Sequence, residues 1–199
     1  MKRRFHKLAG LNILILFLAA SSLSAQTTLW SQVDGTYNAP RTPPAKLTRA
    51  ETQSISTLLR STQQDIWACG DDTDWAKVSF SNISLAPGHK TILIEAGPGP
   101  CRGGQGANGA MWIVEFHGSK ATLLASPNQN FNGWLYSTQH TSHSNYDDIV
   151  LGWHMSAFEA GLAYFRFNGH SYKSIASATL KSDGGGTGTI IPGPNSPTH

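Results

Sequence analysis

The sequence predicts a mainly β protein with two blade-like antiparallel units, each of four strands and about 50 residues, preceded by one N-terminal amphipathic helix. Three observations predict this class. Short apolar or β-branched runs recur between Gly, Pro and Asn residues, two stretches match each other, and a Gly-containing pair separates the strands in both. The chain has 199 residues, of which 39% are hydrophobic and 14% charged. This composition suits one domain with a real core and excludes a coiled coil or a wholly disordered chain.

The first 25 residues are expected to be a secretory signal peptide. Four basic side chains precede the apolar run 11–20, and small residues lead up to Ala25. The run is too short to remain as a membrane span, so no span is expected after cleavage. Removing residues 1–25 takes away four of the 15 basic residues and none of the 12 acidic ones, which leaves a net charge of −1 with neutral histidines. We therefore expect export to the periplasm or outside the cell, and no nucleic-acid partner.

A linker and a helix are expected next. Residues 26–46 are polar and contain three prolines, which favours a flexible linker. Thr48 and Glu51 have the spacing of a capping box, and the apolar residues that follow share one helical face. These signals predict a helix over 48–63 at the start of a β-repeat domain that spans 47–180.

The two cysteines of the chain, Cys69 and Cys101, are expected to form a disulfide. An even number of thiols in an exported protein favours one bond, which would stabilise a loop of this length by about 3–4 kcal/mol. A catalytic thiol or a metal site is the alternative, although the pair lacks the Cys-x-x-Cys spacing that would favour either.

Eight strands are predicted from runs of apolar and β-branched residues. Continuous apolar runs suit strands that are covered on both faces. The runs lie at 78–80, 91–95, 111–116, 121–125, 134–136, 149–153, 162–167 and 172–176.

The eight runs form two matching sets. Residues 111–126 align with residues 162–177, and both copies carry a Gly-containing pair between two strands, His117-Gly118 in one and Asn168-Gly169 in the other. Such pairs favour hairpin turns, because both positions tolerate a positive φ. The aligned identities are Phe116/Phe167, Gly118/Gly169, Ala125/Ala176 and Ser126/Ser177.

The order of these motifs resembles the FG-GAP/VCBS-type repeat of integrin-like β-propellers over residues 78–177. The resemblance rests on a short strand, a polar loop, the Asp-Ile-Val-Leu-Gly sequence at 148–152, an aromatic strand and the Phe-Asn-Gly sequence at 167–169. It implies two propeller-like blades. It also implies a calcium-binding loop ahead of each apolar strand, here at 84–90 and 142–148.

Beyond Leu180 the chain becomes rich in Gly, Ser and Pro. Little in this stretch could bury apolar surface, so residues 181–199 are expected to be a disordered tail.

Two groups of residues are candidates for chemistry. His140 and His143 have metal-like spacing and lie close in sequence to Asp147 and Asp148, so a divalent metal is one interpretation, with solvated loop residues as the other. No other cofactor is expected.

The second group follows the apolar strand of the second copy. Trp153, His154, Ser156 and Glu159 combine an aromatic ring, an imidazole, a hydroxyl and a carboxylate, as ligand-binding loops on rigid scaffolds often do. The alternative interpretation is structural, with the aromatic residues covering the core.

The sequence contains no nucleophile motif such as Gly-x-Ser-x-Gly or His-Glu-x-x-His. The expected function is therefore that of an exported, non-catalytic binding or structural module with a protein or glycan partner. The alternative is a secreted, glycan-directed hydrolase that uses Asp and Glu residues or a histidine-bound metal.

Overall fold

The computed structural model describes residues 29–36, 42–62, 78–96 and 108–194. The expected signal peptide, Cys69 and Cys101 lie outside the described residues. The chain divides into two compact units, Met1–Asp34 and Gly35–His199. The described part of the first unit contains a turn in which the Val33 N–H donates to the Trp30 carbonyl over 3.2 Å.

The second unit is mainly β, as the sequence predicts. Its described residues form nine antiparallel strands in one open sheet, with the order β1-β2-β3-β5-β6-β7-β8-β9 and with β4 paired to the C-terminal half of β3. Every strand position expected from the sequence falls inside an observed strand. The strands are β1 Val78–Ile83, β2 Lys90–Ala96, β3 Gly109–His117, β4 Lys120–Ala125, β5 Asn132–His143, β6 Tyr146–His154, β7 Glu159–Phe167, β8 Tyr172–Ser182 and β9 Gly188–Pro192.

An α-helix, α1, spans Arg49–Thr62. The expected capping box is present at its start, because the Glu51 N–H donates to the Thr48 hydroxyl over 3.2 Å and the Thr48 N–H donates to the Glu51 carboxylate over 2.9 Å. Two side chains of this helix, Ile55 and Leu59, are fully buried. They pack on the face of β2 and β3 that carries Ile92, Ile94, Trp112 and Val114.

The opposite face of β1–β4 belongs to a second core shared with β5–β8. Leu93 and Ile113 from the first group of strands cluster there with Leu135, Leu151 and Phe165 from the second. Strands β2 and β3 are therefore covered on both faces, which confirms the expectation drawn from their continuous apolar runs.

The proposed flexible linker is wrong for residues 43–45, which are attached to the outer edge of β1. The Ala45 N–H donates to the Phe80 carbonyl, and the Asn82 N–H donates to the Pro43 carbonyl, each over 2.8 Å. Proline lacks an N–H but keeps its carbonyl, so an extended proline-containing segment can still pair with an edge strand on alternate groups.

The expectation of a disordered tail from residue 181 is also wrong, for residues 181–194. Strand β9 pairs with β8 from Gly188 to Pro192. The preceding glycines form the turn, with Gly184 at φ 80° and Gly186 at φ 89°. Backbone hydrogen bonds hold an edge strand without requiring many apolar side chains, and for this reason composition alone was misleading here.

Candidate functional site

The loop between β6 and β7 carries the candidate ligand-binding residues at one end of the sheet. The Met155 and Ser156 N–H groups donate to the Glu159 carbonyl over 3.1 and 3.0 Å, and the Phe158 N–H donates to the Ser156 hydroxyl over 3.3 Å. The Phe158 carbonyl accepts from the Ser182 N–H over 2.8 Å. These bonds give the loop a defined shape and assign Ser156 a local structural role.

Two tryptophans near this loop lie over glycines on neighbouring strands. The Trp134 ring covers Gly152, where an added Cβ would come within 2.7 Å of the ring, and the Trp153 ring covers Gly161 in the same way at 2.0 Å. Because side chains alternate along β6, Trp153 and His154 lie on opposite faces of the sheet. The His154 side chain is exposed, and its ring contacts the Trp134 ring, with 4.5 Å between the two centroids.

The sequence-predicted group therefore separates into different local roles. Glu159 lies opposite Lys181 in the β7–β8 register, and its carboxylate is 3.5 Å from the ammonium group. Trp153 is half-buried on one face, and His154 packs on Trp134 on the other. The sequence did not single out the two large apolar side chains that the loop exposes, Phe158 at 66% and Met155 at 56%.

The second candidate group, at the other end of β6, does not converge either. The His140 imidazole contacts the Asp147 carboxylate at 2.8 Å, but Asp148 points to the opposite face of the strand, where it is buried against Arg166. The His143 side chain lies outside the described residues. Within the described residues, no group of three His, Cys, Asp or Glu side chains has a geometry that could hold a metal ion.

A polar cluster that the sequence analysis missed lies beside this group. Glu115 of β3 is buried, and its carboxylate accepts from the Tyr146 hydroxyl over 2.7 Å. The same carboxylate contacts His89 of the β1–β2 turn, and its other oxygen lies 3.1 Å from the His117 ring. Glu115 therefore joins β3 to β6 and to the β1–β2 turn. The sign of this cluster in the sequence is a carboxylate inside the otherwise apolar run 111–116.

The surroundings of this cluster shift two pKa values. Burial by itself raises the pKa of Glu115, but the hydrogen bonds from Tyr146 and His89 and the charges of His89 and His117 outweigh burial. The pKa of Glu115 therefore lies below its ordinary value. Burial, followed by the bond to Glu115, raises the pKa of Tyr146, so this hydroxyl remains a donor in the ordinary pH range.

We expect Glu115 to stabilise the fold in a pH-dependent way. A carboxylate whose pKa is lowered by folding contributes its stability above its unfolded pKa of about 4.3, and this contribution is lost as pH falls through the lowered value. The native protein should therefore be more stable than Glu115→Gln near neutral pH, and the difference should shrink below about pH 4. Urea unfolding of both proteins across this range measures the difference.

Tyr146→Phe is the matched variant for this prediction. Loss of the hydroxyl should cost about 1.5–3 kcal/mol near neutral pH, because a hydrogen bond to a charged group is removed. It should also move the acid loss of stability to higher pH, because the Tyr146 hydroxyl lowers the pKa of Glu115. A difference between the native protein and Glu115→Gln that stays constant with pH would contradict the assignment.

None of the described helices is long and apolar enough to cross a membrane. Comparisons of the chain with protein-family models, with curated proteins and with solved structures find no match.

Proposed function

We propose that the chain is an exported, non-catalytic binding module that holds a protein partner at the β6–β7 loop. The observation that carries this proposal is the exposure of Phe158 and Met155 on a loop whose backbone is well hydrogen-bonded. Large apolar side chains presented by a rigid scaffold are typical anchors for a pocket on a partner. Export rests on the basic and apolar pattern of residues 1–25.

A protein partner is favoured over a glycan by the shape of this surface. Phe158 and Met155 extend from a hairpin loop, so they can enter a pocket on the partner. Sugar rings are held on broad exposed aromatic faces, whereas Trp134 and Trp153 are half-buried against Gly152 and Gly161. The Asn108 side chain also fixes the backbone where this loop begins, because it donates to the His154 carbonyl over 3.2 Å and accepts from the His154 N–H over 2.8 Å.

We also infer that β1–β4 and β5–β8 are two copies of one FG-GAP-like unit. The aligned stretches coincide with β3–β4 and β7–β8, and Gly118 and Gly169 have positive φ values of 64° and 98° in the equivalent hairpins. Two blades cannot close a propeller ring, which normally needs at least four. A module of this kind would act as a scaffold for its loops.

We expect Phe158→Ser to weaken partner binding at least about tenfold, because hot-spot aromatic residues carry most of the energy of such contacts. A photo-crosslinking residue placed at position 155 would identify the partner in producing cells, and the affinity of the purified pair would then be measured. Ile191→Ser is the matched control, because Ile191 is also apolar and exposed, at 43%, but lies on β9. Both variants should keep the native melting temperature.

Three outcomes would contradict the protein-binding proposal. Equal affinity of Phe158→Ser and the native chain would exclude the loop as the contact. Binding to a glycan panel that Phe158→Ser abolishes would favour a glycan partner. Glycan turnover that Glu159→Gln abolishes would favour the alternative of a secreted hydrolase.

A further inference from the structure

The topology brings four strand connections to the same end of the sheet, opposite the β6–β7 loop. They are β1–β2, β3–β4, β5–β6 and β7–β8, and the contacts of Tyr146 with Glu115 and His89 join the two groups of strands there. We call this the hairpin end. A histidine lies in or beside each connection: His89, His117, His143 and His170.

Imidazoles are exposed at the hairpin end, whereas carboxylates are withdrawn from its surface. The side chains of His89 and His117 are 41% and 64% exposed, and His170 is exposed as well. Glu115 and Asp147 expose only 6% and 18% of their side chains. An approaching ligand would therefore meet the histidines first.

The charge of the hairpin end depends on these histidines. Among the described residues, the hairpin end carries four basic side chains and four carboxylates. Its net charge is therefore zero while the imidazoles are neutral. Protonation of His89, His117 and His170 adds three positive charges, and His140, paired with Asp147, lies beside them. The charged groups are Lys90 and Glu51 at the β1–β2 turn and α1, Glu115 and Lys120 at β3–β4, Asp147 and Asp148 at β5–β6, and Arg166 and Lys173 at β7–β8.

We propose that the hairpin end binds an anionic polysaccharide, through carboxylate or sulfate groups, when its histidines are protonated. Imidazole is the side chain that ordinarily changes charge between about pH 5 and pH 8. A surface with exposed cations and buried carboxylates attracts a linear polyanion over several contacts. An anionic membrane is less well matched, because the large exposed apolar side chains of the described residues, Met155, Phe158 and Ile191, are not on these hairpins.

The test measures binding of the full chain to immobilised dextran sulfate at about pH 5 and about pH 7.5. We expect binding at the lower pH and at least about tenfold weaker binding at the higher pH. Raising the salt concentration at the lower pH should weaken binding further, since charge pairs carry it.

Matched variants locate the binding surface. His117→Gln together with His170→Gln should weaken binding at the lower pH by about tenfold, and His170→Gln alone by about threefold to fivefold. His154→Gln is the control, because His154 is exposed at the opposite end of the sheet. Melting temperatures of all variants well above the assay temperature would show that the fold is intact.

Several results would overturn the proposal. These are equal affinity at both pH values, no binding at the lower pH, or an equal loss in the His154→Gln control. Binding to vesicles that contain anionic phospholipid without binding to dextran sulfate would assign the surface to a membrane instead.

Discussion

Replacing Arg166 with methionine is expected to lower the free energy of unfolding by about 2–3 kcal/mol, since it removes a charged hydrogen-bond donor from a fully buried carboxylate. The Asp148 side chain is 0% exposed in β6, and the guanidinium of Arg166 donates to its Oδ2 atom over 2.9 and 3.1 Å. In Arg166→Met the carboxylate remains buried without its guanidinium. Urea unfolding at neutral pH measures the loss.

The double variant Arg166→Met with Asp148→Val is the control for this prediction. It removes both charges and leaves an apolar pair near the start of β6 and the end of β7, so it should be less destabilised than the single variant. A double variant at least as unstable as Arg166→Met would show that the buried charge is not the cause. A loss below about 1 kcal/mol in the single variant would contradict the prediction itself.

Gly133→Ala is expected to lower the free energy of unfolding by a comparable amount, because the added methyl group would meet the backbone of a neighbouring strand. Gly133 has φ 113°, and an added Cβ would lie 2.0 Å from the Gly152 carbonyl oxygen on the paired strand β6. A backbone atom cannot move aside as a flexible side chain can, so β5 and β6 would have to separate locally. The expected loss is about 3 kcal/mol or more, from backbone strain and overpacking together.

Gly169→Ala separates these two contributions. Gly169 has a similar φ of 98°, but an added Cβ there would meet nothing within 4 Å. Only the backbone strain remains, which should cost about 1–2 kcal/mol. Thermal unfolding of both variants tests the comparison, and equal losses would show that the close approach to Gly152 carries no cost.

Local patterns in the sequence were sufficient for the class of the fold and the positions of its main strands. The run Ile92–Ile94 lies in a strand covered on both faces, as a continuous apolar run predicts. The sequence also predicted the capping box of Thr48 and Glu51, because its two hydrogen bonds join residues three positions apart. These features depend on neighbours along the chain, and a sequence displays such neighbours directly.

The sequence predicted only some of the residues that form the candidate surfaces. The sequence indicated the β6–β7 loop, but it selected His154 and Glu159, which pack on Trp134 and pair with Lys181. It did not single out Phe158, because a large aromatic residue is usually buried and only the packed structure shows its exposure.

The sequence by itself thus determined the mainly β class, the strand positions and the residue types available for binding. The tertiary structure decided which of those residues meet. Glu115 contacts His89 and Tyr146, which are 26 and 31 positions away along the chain. Whether such residues meet depends on strand register and on how two groups of strands pack. A shift of one residue in register would turn Glu115 to the other face of the sheet, so its partners are decided only when the strands pair.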